Sequence, residues 1–139
     1  MTVSTFKMNM TPHDLLSVSE LGLAHVGDAV FELLVRSMLC SQKTAVTNYN
    51  LHKLTVRYVS ASAQAAFLKP ILPVLTEEET AVYKRGRNAH SHAAPKNATP
   101  GQYARSTGLE TLFGWLYLSG QTERIGELFA IGSEAFHAV

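Results

Sequence analysis

From Ser19 to Cys40 the apolar residues Leu23, Val26, Val30, Leu33 and Leu34 recur at helical spacing, and in the middle of that stripe stands Gly27. Glycine in a helix interior costs about 1 kcal/mol against alanine, so a long helix that keeps one is expected to be approached closely by another helix or a ligand. Gly114 poses the same question in a later segment, where Leu109, Leu112, Phe113 and Leu116 share a face. Each glycine lies near a carboxylate, for Asp28 follows Gly27 directly and Glu110 precedes Gly114 by one helical turn. If the two helices cross at their glycines, the two acids meet. Converging carboxylates repel unless a proton or a cation joins them, and hard oxygen donors suit magnesium, which keeps several waters and takes phosphate oxygens. Phosphodiester hydrolysis is the chemistry such a centre serves. On helices that never meet, the same residues would be ordinary solvated acids.

The rest of the chain is punctuated as about six helical segments, and no stretch sustains the period-two alternation of a strand. Thr11 and Pro12 open a short turn before the long segment, and a third helix is expected over about Asn48 to Val59. Ser60 can cap a fourth that runs toward Pro70, where Pro70 and Pro73 break the pattern. Thr76 with Glu79 is a capping box that starts a helix to about Asn88; Thr99, Pro100 and Gln102 repeat the signal for a helix to about Ser119. Ala89 to Ala98 reads as an ordered loop, Gly120 ends the later helix, and a last helix is expected over about Thr122 to His137. The expectation is an all-α fold forming a single domain over residues 1–139.

A formal net charge of +1 excludes binding of nucleic acid through bulk positive charge, so any such role rests on local patches. Lys84, Arg85 and Arg87 cluster at the expected C-terminal end of one helix, followed by Lys96 and Arg105, while Glu77, Glu78 and Glu79 occupy its start. That arrangement also complements the helix dipole with no ligand at all. The lone cysteine, Cys40, cannot form an internal disulfide and is expected to be a buried structural thiol. His90 and His92 have no cysteine beside them and do not make a zinc site; His25, Tyr103 and Trp115 are expected to pack. No run approaches the roughly 18 apolar residues of a spanning helix and the first residues do not resemble a signal peptide, so a cytoplasmic protein without a membrane partner is expected.

Gly27-Asp28-Ala29-Val30 with Glu32 and Leu33 resembles the signature of the ribonuclease III catalytic domain. Leu51-His52-Lys53-Leu54 through Val59-Ser60-Ala61 is similar to the helix pair that follows that signature. The most specific likeness is Lys84-Arg85-Gly86-Arg87-Asn88-Ala89, then Pro95-Lys96-Asn97, then Ser106 to Gly114; it resembles the mini-ribonuclease III branch, which lacks a separate double-stranded-RNA-binding domain. The resemblance implies a magnesium-dependent endoribonuclease that cuts double-stranded RNA as a homodimer and trims large-subunit ribosomal RNA precursors. It implies Asp28 and Glu110 as catalytic metal ligands. The larger enzymes carry further acids at the positions of Ala24 and Thr107, which leaves a catalytically weak RNA-binding or ribosome-associated module as the alternative. Glu32 is expected to be an exposed or salt-bridged helix acid before it is a ligand. A-form duplexes present phosphates and 2′-hydroxyls across a shallow groove, and Arg85, Arg87, Asn88, Lys96, Asn97 and Arg105 are the groups expected to take them.

Overall fold

The computed structural model describes residues 6–42, 48–89 and 98–138, with the backbone alone at 48, 49, 137 and 138. The described residues form α1 (Pro12–Leu15), α2 (Glu20–Ser41), α3 (Asn48–Val59), α4 (Ala61–Leu68), α5 (Glu77–Asn88), α6 (Pro100–Leu118) and α7 (Thr122–Gly132). Short 3-10 turns cover Leu72–Val74 and Ser133–Ala138, and no strand occurs among the described residues, so the fold is all-α as expected. The starts follow from their caps. The Ser19 hydroxyl accepts from the Gly22 amide at 3.0 Å and the Ser60 hydroxyl from the Ala63 amide at 3.2 Å. Complete capping boxes stand at Thr76 with Glu79 and at Thr99 with Gln102. Gly120, at φ 82°, terminates α6 in the left-handed region that favours glycine.

Helix α6 is the hub, with α2 and α5 packed along it most extensively and α4 and α7 closing the remaining sides. A helix covered all round must be apolar or small on every face. The run Ser106, Thr107, Gly108, Leu109, Thr111, Leu112, Phe113 and Gly114 meets that demand, each residue buried. The core beneath it is aromatic: Phe31 of α2 stands 5.0 Å from Phe67 of α4 and 6.0 Å from Phe113 of α6, centroid to centroid, all edge-on.

The long helix buries Leu23, Ala24, Gly27, Phe31, Val35 and Leu39, so its inward stripe is rotated from the one expected. Leu33, expected inside, is 46% exposed, and Val26, Val30 and Leu34 are half-buried. The reason is that α2 meets α6 through small residues, which a reading by hydrophobicity passes over. Cys40 is exposed, contrary to the expectation of a buried thiol. The inward position at that end of α2 is Leu39, and the next residue turns about 100° away from the core.

Arg124 of α7 locks onto α5 through a two-pronged contact, Nε to Glu79 Oε2 at 2.8 Å and one terminal nitrogen to Glu79 Oε1 at 2.9 Å. The same guanidinium reaches the Val74 carbonyl at 2.9 Å and Glu127 at 3.0 Å. The hydrogen bonds from Arg124 hold the Glu79 carboxyl below the usual range against the opposing effect of burial. Breaking a buried pair from one side strands the other charge, so Arg124→Met should cost about 3–5 kcal/mol and lower the Tm by about 10 °C or more. A thermal melt at neutral pH checks it. The gap should narrow as the pH falls below the ordinary carboxylate range and Glu79 takes up its proton, because the contribution of a lowered carboxyl pKa is complete above its unfolded value and is lost as the pH falls through the folded one.

Candidate active site at the helix crossing

Helices α2 and α6 cross with backbone against backbone. A Cβ on Gly27 would overlap the Glu110 carbonyl oxygen and stand 2.8 Å from the Gly114 amide nitrogen. Reciprocally, a Cβ on Gly114 would overlap the Leu23 carbonyl oxygen and stand 3.0 Å from the Gly27 nitrogen. Each glycine is therefore present because the other helix occupies the space. This crossing carries Asp28 and Glu110 to one place, where their carboxyl groups interact directly. Asp28 is exposed and Glu110 half-buried, so the pair opens to solvent on one side and to the core on the other.

Burial, then the charge of Asp28 and a hydrogen bond with it, push the Glu110 carboxyl up to about 8, and the Gln64 amide opposes this only in part. Raised in this way, the Glu110 carboxyl favours a proton beside Asp28, and a divalent cation is the other species that relieves the same repulsion. The donor set fits magnesium: hard carboxylate oxygens, few of them, with an open face for water and phosphate. Among the described residues no cluster of three or more His, Cys, Asp or Glu stands ready to enclose an ion. The positions of the missing acids supply no replacement. Ala24 is buried against α6, and the Thr107 hydroxyl donates back to the Tyr103 carbonyl at 3.0 Å.

Glu32, one turn beyond Asp28, is held by Arg36 at 2.9 Å on the helix surface, in keeping with its expected salt bridge. His25, one turn before Asp28, is exposed and not packed as expected. A residue that the sequence did not single out completes the centre. Gln64 of α4 is 1% exposed, and its Nε2 donates to Glu110 Oε2 and to the Val59 carbonyl, each at 3.3 Å. The available signal was its place on the buried face of α4 with Ala63, Phe67 and Leu68.

The basic candidates divide between two faces of α5, because residues two apart on a helix point about 200° apart. Arg87 lies over the Tyr83 ring, 5.7 Å from its centroid, and its Nε donates to Asn88 Oδ1 at 3.2 Å. Burial raises the Tyr83 hydroxyl, while the charges of Arg87 and Arg105 pull it down, so both cations surround this ring. Arg85 instead faces Glu20 at 3.5 Å and borders a groove of about 620 Å³ lined with Met10, Leu15, Val18 and Trp115. That groove contains neither Asp28 nor Glu110. Lys96, Asn97, His90 and His92 lie outside the described residues.

Residues 21–121 match the model of the ribonuclease III domain. The chain is 47% identical over 119 residues to mini-ribonuclease 3 of Symbiobacterium thermophilum, covering 86% of this chain and 91% of that one. It is 45% identical over 117 residues to mini-ribonuclease 3 of Enterococcus faecalis, covering 83% and 88%. A crystal structure of a Fusobacterium nucleatum protein superimposes with a TM-score of 0.75 at 30% identity, covering 85% of this chain and 93% of that one. With the signature helix, the crossing and the acid pair in the matched region, the chain belongs to the ribonuclease III family and, within it, to the mini-ribonuclease III branch.

Proposed function

We propose that this ribonuclease III-family endoribonuclease cuts double-stranded RNA with magnesium bound at Asp28 and Glu110, as a homodimer with one such centre in each subunit. The observation that carries the reading is the glycine-on-glycine crossing, which brings two carboxyls together and favours a proton or a cation at Glu110. When bound, magnesium would supply an activated water for attack on phosphorus and neutralise charge on the leaving oxygen. Asp28, which is exposed, and Glu110, which is half-buried, would hold it. Arg87, Asn88 and Arg105 take backbone phosphates and 2′-hydroxyls, joined by Lys96 and Asn97. Arg85 joins them only by leaving Glu20. Residues 1–139 act as one catalytic domain. The substrate we assign is precursor large-subunit ribosomal RNA, handled in the cytoplasm; no described helix is long and apolar enough to cross a membrane.

The test is cleavage of a double-stranded RNA precursor by purified protein in magnesium, beside a chelated sample and Asp28→Asn. The expected result is magnesium-dependent double-strand cutting, absent from both controls. Binding without cutting under every condition would instead favour a catalytically weak RNA-binding or ribosome-associated module, the reading that Ala24 and Thr107 support. For the contact surface, Arg105→Ala should weaken duplex binding uniformly across sequences and reduce the slope of log affinity against log salt by about 1. An unchanged slope in a fluorescence titration would remove Arg105 from the interface.

A further inference from the structure

Gln64 is a polar side chain in a place where the fold asks for none. Its neighbours on the inward face of α4 are Ala63, Phe67 and Leu68, and the side chain is 1% exposed. Both of its contacts are acceptors, the last carbonyl of α3 at Val59 and the Glu110 carboxylate, so the amide must turn its nitrogen toward them. Its own oxygen, Oε1, is then buried with no hydrogen-bond partner among the described residues. An unpartnered buried acceptor destabilises the fold, and an apolar residue of the same size would avoid it. A residue retained against stability at an acid pair marks a functional demand.

That demand is set by Glu110. Its carboxylate hangs from α6 at the crossing and has two oxygens to distribute between ligand and support. The Gln64 donor, anchored through Val59 to the corner between α3 and α4, takes Oε2 and restricts how the carboxylate can rotate. Partners of this kind orient ligating carboxylates, and their loss lowers metal affinity or activity by about 10- to 100-fold. We propose that Gln64 is the positioning residue of this centre, fixing the Glu110 carboxylate through Nε2 so that it meets the cation together with Asp28. The inference rests on the assignment of Asp28 and Glu110 as metal ligands.

Gln64→Met replaces the amide with an apolar chain of similar length. Three quantities are measured on wild type, Gln64→Met and Asp28→Asn. They are the Tm without metal, the affinity for Mn²⁺ alone by electron paramagnetic resonance without RNA, and the magnesium concentration for half-maximal cleavage. For Gln64→Met the expected result is a Tm equal to or above wild type, with Mn²⁺ affinity weakened about 10- to 100-fold and the magnesium midpoint raised to match. Wild-type Mn²⁺ affinity in Gln64→Met would overturn the proposal, as would a loss of affinity accompanied by a fall in Tm, which would assign Gln64 to packing. Asp28→Asn separates the two levels. If it also keeps Mn²⁺ affinity and cleavage, the metal site itself is misplaced; if it loses both while Gln64→Met keeps them, only the role of Gln64 falls.

Discussion

Gly27→Ala is expected to abolish the cooperative fold or to lower its Tm by well over 10 °C. The added Cβ would fall on the Glu110 carbonyl oxygen, 2.5 Å from its carbon and 2.8 Å from the Gly114 nitrogen. Those are backbone atoms of a helix buried on all sides, so no side chain can rotate to make room. Relief requires α6 to move away from α2 and pulls Phe113 from Phe31 in the aromatic core. Overpacking alone costs about 1–3 kcal/mol, and separating two central helices adds the loss of packed surface. The sum, above about 4–5 kcal/mol, is a large part of a domain's total stability of about 5–15 kcal/mol. Gly126→Ala is the matching control, since nothing lies within 4 Å of a Cβ there and the glycine sits on the exposed surface of α7. It should stabilise by roughly 0.5–1 kcal/mol through helix propensity. Thermal melts of the two variants with opposite signs are the expected outcome; a Gly27→Ala protein that melts like wild type would mean the helices do not cross in this way.

Glu110→Gln is expected to reduce cleavage by about a thousandfold or more while making the metal-free protein more stable at alkaline pH. If Asp28 and Glu110 are the two charged ligands, as proposed, removing one withdraws several kcal/mol of transition-state stabilisation, and about 4 kcal/mol is already a thousandfold in rate. Stability moves the other way because the native carboxyl is buried beside Asp28. Its pKa is raised from 4.5 to about 8. A raised value means that the folded state holds the proton more tightly than the unfolded one. The stabilising share is complete below about 4.5 and is lost as the pH rises through about 8. The neutral amide has no proton to lose, so melts of wild type without metal should decline over that window relative to Glu110→Gln. Magnesium should restore wild type at the alkaline end and leave the variant unmoved. Parallel pH profiles for the two proteins, or cleavage within about threefold of wild type, a difference below about 1 kcal/mol, would remove Glu110 from the centre.

Local chemistry made the helix starts readable. Ser60, Thr76 and Thr99 each cap the helix they announce, because a cap needs only a side-chain oxygen and an amide two or three residues away. The meeting of Asp28 and Glu110 was readable through Gly27 and Gly114, whose presence in helix interiors had to be explained by something close. The inward face of α2 was not. Ala24 and Gly27 carry little hydrophobic signal, so Leu33 drew the stripe toward a surface it does not bury. Nor could sequence proximity divide Arg85 from Arg87, for which the rotation of α5 relative to Glu20 and Tyr83 decides. Gln64 stayed hidden because its place among the apolar residues of α4 marks burial alone, while its importance is a contact across 46 positions of chain.

In most enzymes the spacing of the reactive groups depends on how well the interior is filled, and each change in the core is felt at the centre. Here the crossing of α2 and α6 seats main chain on main chain, with Asp28 next to Gly27 and the Glu110 carbonyl itself among the contacting atoms. The spacing of their backbones is thus set by main-chain contact rather than by interlocking side chains. Conservative exchanges in the aromatic interior around Phe31, Phe67 and Phe113 should therefore disturb the spacing of the acid pair less than any side chain added at the crossing.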